Sequence, residues 1–210
     1  MEFMKEIRAK SGLLHAASEK TGYIKKLVDG NGTVEGYAEY IFNLEMMYKA
    51  IENGLDKNQD NEIVKPFVTK ELYRSSLIRE DLKHLLGDKL NTMVPLASTE
   101  ASVAYINFLA DNKPELIIPY AYTRFLADLF GGRTFLTVLS GESYNISSEG
   151  LNYYKFSGIE NLKEYVMGYH NMLTDIKLSD NMKEAFINEV SNAYIYNLAI
   201  SNELDAKLTY

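Results

Sequence analysis

Residues 33–55, TVEGYAEYIFNLEMMYKAIENGL, contain the pattern that decides the fold class. Their apolar positions recur at alternating steps of four and three residues, and they are Tyr37, Ile41, Leu44, Tyr48, Ile51 and Leu55. This spacing places all of them on one face of an α-helix. Thr33 precedes the row and has a side chain that can cap a helix N-terminus. The stretch therefore predicts a helix with one buried face.

The rest of the chain repeats this helical pattern. A second row contains Met182, Phe186, Val190, Tyr194, Asn197 and Ser201, with Ser179 or Asp180 as its cap, and a third contains Phe3, Ile7, Leu14 and Ser18. Residues 70–86, 100–110 and 116–129 are also compatible with helices, whereas residues 140–158 are rich in Gly, Ser and Asn and predict a loop. The 4 prolines lie between these segments, as uninterrupted helices require. We therefore predict an all-α protein of seven or eight helices that forms a single domain, 1–210.

Composition excludes several classes of function. The chain has 210 residues, no cysteine and a net charge of −7. The lack of cysteine excludes disulfides, thiolate metal sites and a Cys-ligated heme. An acidic chain without a block of Lys and Arg is a poor nucleic-acid binder. No apolar run reaches membrane-spanning length and the N-terminus does not resemble a signal peptide, so we expect a cytoplasmic protein without membrane contact.

One of the 3 histidines, His15, has a carboxylate one helical turn away in Glu19. A histidine that ligates a metal through one ring nitrogen usually donates its other N–H to a carboxylate or a carbonyl. The pair has the spacing for that arrangement. The alternative is a half-buried structural histidine beside a solvated glutamate, and spacing alone does not decide between the two.

A second candidate feature is the pair Gly131-Gly132, which follows Asp128 within a helical stretch. A glycine pair permits a helix to bend and lets the backbone approach a flat ligand closely. Asp128 is close enough along the helix to face the same space and hold water there. The alternative is an ordinary helix C-cap with one glycine in the left-handed conformation. Tyr48 and Asn197 add polar atoms to apolar rows, which predicts an internal hydrogen-bond network or buried water.

Several blocks together resemble the heme oxygenase family over nearly the whole chain. Residues 13–19, LLHAASE, resemble the family's proximal helix, and residues 32–52 resemble the helix that follows. Residues 121–132, AYTRFLADLFGG, resemble the distal-helix signature and are the most specific block. Residues 149–156, EGLNYYKF, and 192–198, NAYIYNL, follow at family-like spacing.

The resemblance implies a helical fold that holds heme b between a proximal and a distal helix. His15 would ligate the iron, with Glu19 accepting a hydrogen bond from its other ring nitrogen. Asp128 would anchor waters that supply protons to the bound oxygen, supported by Tyr48, Glu52, Arg124 and Asn197. The remaining heme contacts that the resemblance implies are Arg8, Tyr122, Ala127, Gly131, Gly132, Lys163, Tyr169 and Tyr194.

The resemblance also implies the reaction. Heme would be opened at a meso carbon to biliverdin, carbon monoxide and ferrous iron, with dioxygen as co-substrate. Electrons would come from a separate protein, such as a ferredoxin, a flavodoxin or a reductase, because the chain has no flavin or nicotinamide motif. Ala127 and Phe130 depart from the family's usual glycine and serine. They keep open the alternative of a non-catalytic protein that carries, stores or senses heme.

Overall fold

The computed structural model describes residues 2–209, which form helices without a strand; most connections are short, and the two long ones, 58–74 and 141–161, contain only 3-10 turns as regular structure. The α-helices are α1 (Glu2–Lys20), α2 (Gly22–Val28), α3 (Val34–Lys57), α4 (Ser75–Leu86), α5 (Ala97–Asn112), α6 (Ile118–Ser140), α7 (Leu162–Asp175) and α8 (Asp180–Thr209). The all-α prediction is confirmed. None of these helices is long and apolar enough to cross a membrane.

Two helices organise the core around which the others pack. α3 contacts α4 and α5, and its buried face includes Tyr37, Ile41, Tyr48, Ile51 and Leu55. The row predicted from sequence is therefore the face that packs. α8 is about 45 Å long and contacts α1, α2, α5 and α6. It thus connects the two helices predicted to be proximal and distal.

The caps follow the residue types that the sequence indicates. The Oγ1 atom of Thr33 accepts a hydrogen bond from the Gly36 amide at 3.0 Å, which confirms the predicted cap of α3. Of the two residues considered for α8, Ser179 precedes the helix and accepts from the Met182 amide at 3.4 Å. These contacts satisfy amides that the first helical turn leaves unpaired.

The corner between α1 and α2 is fixed against α8. Gly22 has a φ of +63°, and a Cβ atom there would lie 2.8 Å from the Ser201 carbonyl carbon, so no other residue fits without displacement. The Ser201 hydroxyl in turn accepts from the Ile24 amide at 3.1 Å. These contacts hold the end of α1, and with it His15, in a defined position relative to α8.

Two predicted helix boundaries are wrong. The segment predicted over 70–86 becomes helical only at Ser75, after a 3-10 turn at Lys70–Leu72. The segment predicted over 116–129 continues through Gly131 and Gly132 to Ser140. The C-cap alternative for the glycine pair is also wrong, because the positive-φ glycines of residues 2–209 are Gly22, Gly30 and Gly87. The predicted loop over 140–158 contains only two short 3-10 turns.

Candidate active site

A cavity of about 550 Å³ lies between α1, α6 and α8, a volume typical of sites for small organic ligands. α1 and α6 form its two long walls, α8 contributes at one side, and the segment after α6 contributes at another. The predicted site residues that line this cavity are Arg8, His15, Glu19, Tyr122, Arg124, Ala127, Asp128, Gly131, Tyr194 and Asn197. Residues far apart in the sequence are thus brought together as the resemblance implies.

His15 presents an accessible imidazole on the α1 wall. Its side chain is 51% exposed, and its ring lies 5.4 Å from that of Tyr194. The Nε2 atom lies 3.4 Å from Glu19 Oε1, so ligation through Nε2 requires the ring to turn and present Nδ1 to Glu19. Residues 2–209 contain no cluster of three or more His, Asp or Glu side chains able to hold a metal ion. A metal at His15 would therefore need most of its ligands from outside these side chains.

On the α6 wall, Arg124 and Asp128 lie one helical turn apart and form a buried ion pair. Arg124 Nη2 donates to Asp128 Oδ1 at 3.1 Å and to the Tyr153 hydroxyl oxygen at 3.0 Å. Asp128 Oδ2 has no hydrogen-bond partner among the described residues. Burial raises the pKa of the Asp128 carboxyl well above its usual range. The side chain can therefore hold a proton, and its free oxygen can hydrogen-bond water.

Two further buried oxygens on this side lack partners within residues 2–209, the Tyr48 hydroxyl and Asn197 Oδ1. Buried polar groups without protein partners are usually satisfied by ordered water. Asn197 lines the cavity, whereas Tyr48 lies behind it, stacked on Phe125 with its ring 5.6 Å from the Arg124 guanidinium. Tyr48 therefore supports Arg124 from the core and is not part of the cavity lining.

Two glycines leave open space on opposite walls. An added Cβ at Gly12 meets nothing within 4 Å, and one at Gly131 meets only the Phe135 ring at 3.9 Å. The protein's own packing does not require glycine at either place, and both residues line the cavity. This fits a flat ligand that approaches the backbone. Gly132 was predicted to contact heme, but it is buried and a Cβ there would lie 3.4 Å from Tyr154.

The two departures from the distal signature affect the cavity little. Phe130 borders the cavity but is 63% exposed, so most of its ring faces away from the buried wall. Ala127 lies among the lining residues, and its methyl group adds one carbon to the surface there. Neither residue blocks the space between α1 and α6.

One part of the cavity is basic. Arg8 and His170 both line it, together with Tyr122, whose ring lies 6.3 Å from the His170 ring. Burial lowers the pKa of His170, and the positive charge of Arg8 lowers it further. The guanidinium is therefore the fixed positive charge of this region, and it suits a ligand that carries carboxylates.

Besides Tyr48 and Gly132, three more predicted site residues lie outside the cavity lining. Lys163 is exposed and sits two helical turns, or about 10 Å, before His170 on α7. Tyr169 is buried against Phe67 with ring centroids 5.6 Å apart. Glu52 caps α4, because its Oε1 accepts from the Arg74 amide at 2.6 Å and the Ser75 amide at 3.0 Å.

Several lining residues were not predicted, and among them are Tyr40, Tyr153, Tyr154 and His170. Tyr153 and Tyr154 lie within the quoted block EGLNYYKF, which was the available signal for them. Tyr40 lies one residue before the buried position Ile41 on α3, and helical periodicity does not identify it as a cavity residue. His170 lies on α7 together with Lys163, the residue that the resemblance implies as a heme contact.

Comparison with known proteins agrees with this geometry. Residues 1–203 match the family model for heme oxygenase. A heme oxygenase of Porphyra purpurea is 31% identical over 205 residues, which cover 97% of this chain and 86% of that relative. The structure of heme oxygenase-1 from Synechocystis in complex with heme has a TM-score of 0.92 and 25% identity, and the similarity covers 100% of this chain and 95% of that one.

A heme oxygenase structure from Leptospira interrogans has a TM-score of 0.90 and 26% identity, with 97% of this chain and 100% of that chain covered. Similarity in sequence and in fold thus extends over essentially the same residues. The chain belongs to the heme oxygenase family of heme-degrading oxidoreductases.

Proposed function

We propose that this heme oxygenase holds its substrate heme between α1 and α6 and opens it at a meso carbon to biliverdin, carbon monoxide and ferrous iron. The main support for this proposal is the pair of side chains that face one cavity. His15 on α1 presents an accessible imidazole, and Asp128 on α6 presents a buried carboxylate with one oxygen that has no protein partner. A single neutral imidazole is a common axial ligand of heme iron. A carboxylate that works through water is a suitable proton source on the other face.

Residues on the α1 and α6 walls determine how heme would bind. His15 provides the ligand, and Glu19 orients the imidazole from one turn away. Gly12 and Gly131 leave room for a flat ring at the backbone. Arg8 supplies the positive charge for the carboxylates of the ligand at the basic region of the cavity. We propose that His170 replaces Lys163 as the second polar contact there.

Asp128 and its neighbours on α6 hold and transfer protons. When bound, heme supplies the iron at which dioxygen is activated. Arg124 holds Asp128 Oδ1, which leaves Oδ2 free to bind water in the cavity. Asn197 offers a second free acceptor for the same water. Because burial raises the pKa of Asp128 well above its usual range, the carboxyl keeps its proton more readily than an exposed aspartate and can act as a general acid through water.

Dioxygen and electrons come from outside the chain. We propose a separate donor, a ferredoxin, a flavodoxin or a reductase, because the sequence has no G-x-G-x-x-G motif for a nicotinamide or flavin nucleotide. We also propose a cytoplasmic location, with which the absence of cysteine is compatible.

The reaction is tested by adding one equivalent of hemin to the purified protein, then a chemical reductant in air with catalase present. Catalase removes free peroxide, so any turnover belongs to the enzyme. We expect loss of the Soret band, growth of a biliverdin band and release of ferrous iron. A stable heme spectrum without biliverdin would instead establish a heme carrier or sensor and contradict the proposal.

His15→Ala and His84→Ala form a matched pair for the same assay. His84 is exposed outside the cavity, where its Nε2 lies 3.1 Å from the Ser147 hydroxyl. We expect His15→Ala to lose the nitrogen-ligated ferric spectrum and biliverdin formation, and His84→Ala to keep both. An unchanged ferric spectrum in His15→Ala would disprove the ligand assignment.

A further inference from the structure

Tyr153 is a second partner of the cavity's guanidinium. Its hydroxyl oxygen accepts from Arg124 Nη2 at 3.0 Å, and the same Nη2 donates to Asp128 Oδ1 at 3.1 Å. Tyr153 is fully buried and also lines the cavity. Arg124 therefore occupies one acceptor site of the phenol.

A buried carboxylate on another helix fixes the position of Tyr153. Asp81 on α4 accepts from the Tyr153 amide at 2.8 Å through Oδ2, and from the Asn152 amide at 2.8 Å and the Asn152 Nδ2 at 2.9 Å through Oδ1. Arg74 Nη1 donates to the Lys155 carbonyl at 2.7 Å a little further along the segment. The backbone around Tyr153 is therefore anchored to α4 although it belongs to an irregular segment.

The ring of Tyr153 is held as firmly as its backbone. It contacts Tyr154, with centroids 4.5 Å apart, and meets the Tyr48 ring edge-on at 5.9 Å. The phenolic oxygen thus has little freedom to leave Arg124. Such doubly supported side chains are the usual means of orienting a reactive group.

We propose that Tyr153 is a positioning residue for heme opening: its hydroxyl oxygen fixes the Arg124 guanidinium against Asp128 Oδ1 and thereby keeps Oδ2 directed at the water in the cavity. Asp81 extends this arrangement to α4. The inference deepens the proposed function, because it rests on the role given to Asp128. It adds a tyrosine and an α4 carboxylate to the groups that control the proton source.

Tyr153→Phe tests the proposal, since it removes the oxygen and keeps the ring contacts. We expect hemin affinity within about twofold of the wild type and a single-turnover rate of biliverdin formation about tenfold lower. A decrease of about tenfold is what the loss of one hydrogen bond to a charged group would cause. Tyr196→Phe is the control, because Tyr196 packs against Tyr105 and Tyr120 away from the cavity. An unchanged rate in Tyr153→Phe, or a rate that falls only in proportion to hemin affinity, would overturn the proposal.

A double-mutant cycle with Arg124→Gln separates positioning from general packing. If Tyr153 acts through Arg124, Tyr153→Phe has no further effect on the rate in the Arg124→Gln background. Additive effects of the two substitutions would show that Tyr153 acts independently and would contradict the inference.

A measurement on the hemin-free protein distinguishes this inference from the proposed function. Infrared difference spectra, assigned with Asp128→Asn, report the pH at which the Asp128 carboxyl loses its proton. The phenol of Tyr153 beside Asp128 lowers the pKa of that carboxyl, so we expect Tyr153→Phe to raise that midpoint. An unchanged midpoint refutes the positioning role, whether or not the wild type forms biliverdin.

Discussion

Asp128 shows at the scale of one residue how a common side chain acquires a function. On an exposed helix face it would be an ordinary acid paired with Arg124 one turn away. Here both side chains are buried, and only one carboxylate oxygen has a protein partner. Burial raises the pKa of the carboxyl, because desolvation penalises the charged form. The other oxygen remains available to water in the cavity.

The raised pKa predicts a pH-dependent stability difference between the wild type and Asp128→Asn in the absence of hemin. Because the folded-state pKa lies above the unfolded value of about 4, the folded protein binds this proton more tightly. The stabilising contribution is complete below the unfolded pKa and is lost as pH rises toward the folded pKa. Asp128→Asn lacks this dependence.

Unfolding in denaturant at pH 5 and at pH 8 measures the effect. We expect the free energy of unfolding of Asp128→Asn, minus that of the wild type, to be larger at pH 8 than at pH 5, because only the wild type loses stability as pH rises. Parallel behaviour of the two proteins over this range would mean that Asp128 titrates with its ordinary pKa.

The individual site residues differ in how far the sequence identified them. His15 and Asp128 lie in blocks whose residue types and spacing already indicate their chemistry, and the structure places both in the cavity. Glu52 was assigned to the water cluster, but its carboxylate caps α4. Tyr153 was missed because its position depends on Asp81, which lies 72 residues earlier in the chain. Contacts of this range leave no periodic signal in the sequence.

At the scale of the element, α6 is longer than its local sequence predicts. Each interior glycine costs a helix about 1 kcal/mol relative to alanine, yet α6 continues through Gly131 and Gly132 to Ser140. Buried residues on both sides of the pair, such as Leu129 and Leu139, pack in the core. Tertiary packing therefore outweighs the local preference, which is why the sequence-based boundary at 129 was too early.

Gly131→Ala should affect the free and the hemin-bound protein in opposite directions. The added methyl group meets only the Phe135 ring at 3.9 Å, so the hemin-free protein gains helix propensity without a clash. We expect a stability gain of about 0.5–1 kcal/mol, equivalent to a rise in melting temperature of roughly 1–4 °C. Hemin affinity should fall, because the methyl group occupies the cavity surface.

Thermal unfolding and hemin titration of Gly131→Ala measure these two effects, and Gly168→Ala on α7 is the matched control. Gly168 is exposed, and an added Cβ there meets nothing within 4 Å. It should raise stability similarly and leave hemin binding unchanged. Equal hemin affinity in Gly131→Ala and the wild type would show that the ligand does not approach the backbone at this position.

The helical pattern itself was predictable because period 3.6 is a local property of the sequence. The rows that predicted α3 and α8 identify residues that the structure buries, including Tyr37, Ile51, Phe186 and Val190. The start of α4 was not predictable, because it depends on the Glu52 carboxylate reaching across from α3. Boundaries set by long-range contacts cannot be read from local periodicity.

At the scale of the whole molecule, the cavity lies between two helical walls that differ in chemistry. α8 contacts both α1 and α6, and Gly22 and Ser201 fix the α1–α2 corner on it. The α1 wall presents the accessible imidazole of His15, which suits binding, whereas the α6 wall carries the buried and hydrogen-bonded Asp128, which suits proton transfer. We therefore assign heme affinity mainly to the α1 wall and the course of the reaction mainly to Asp128 and Arg124 on the α6 wall.

The most direct test of this division is the yield of biliverdin per bound heme in Asp128→Ala, measured in one turnover beside the hemin dissociation constant. We expect the dissociation constant to stay within about threefold of the wild type, because His15 and the basic region are intact. The yield should fall at least about tenfold, because the proton source is lost. Equal losses of affinity and yield would contradict the account and would make Asp128 a packing residue of the cavity wall.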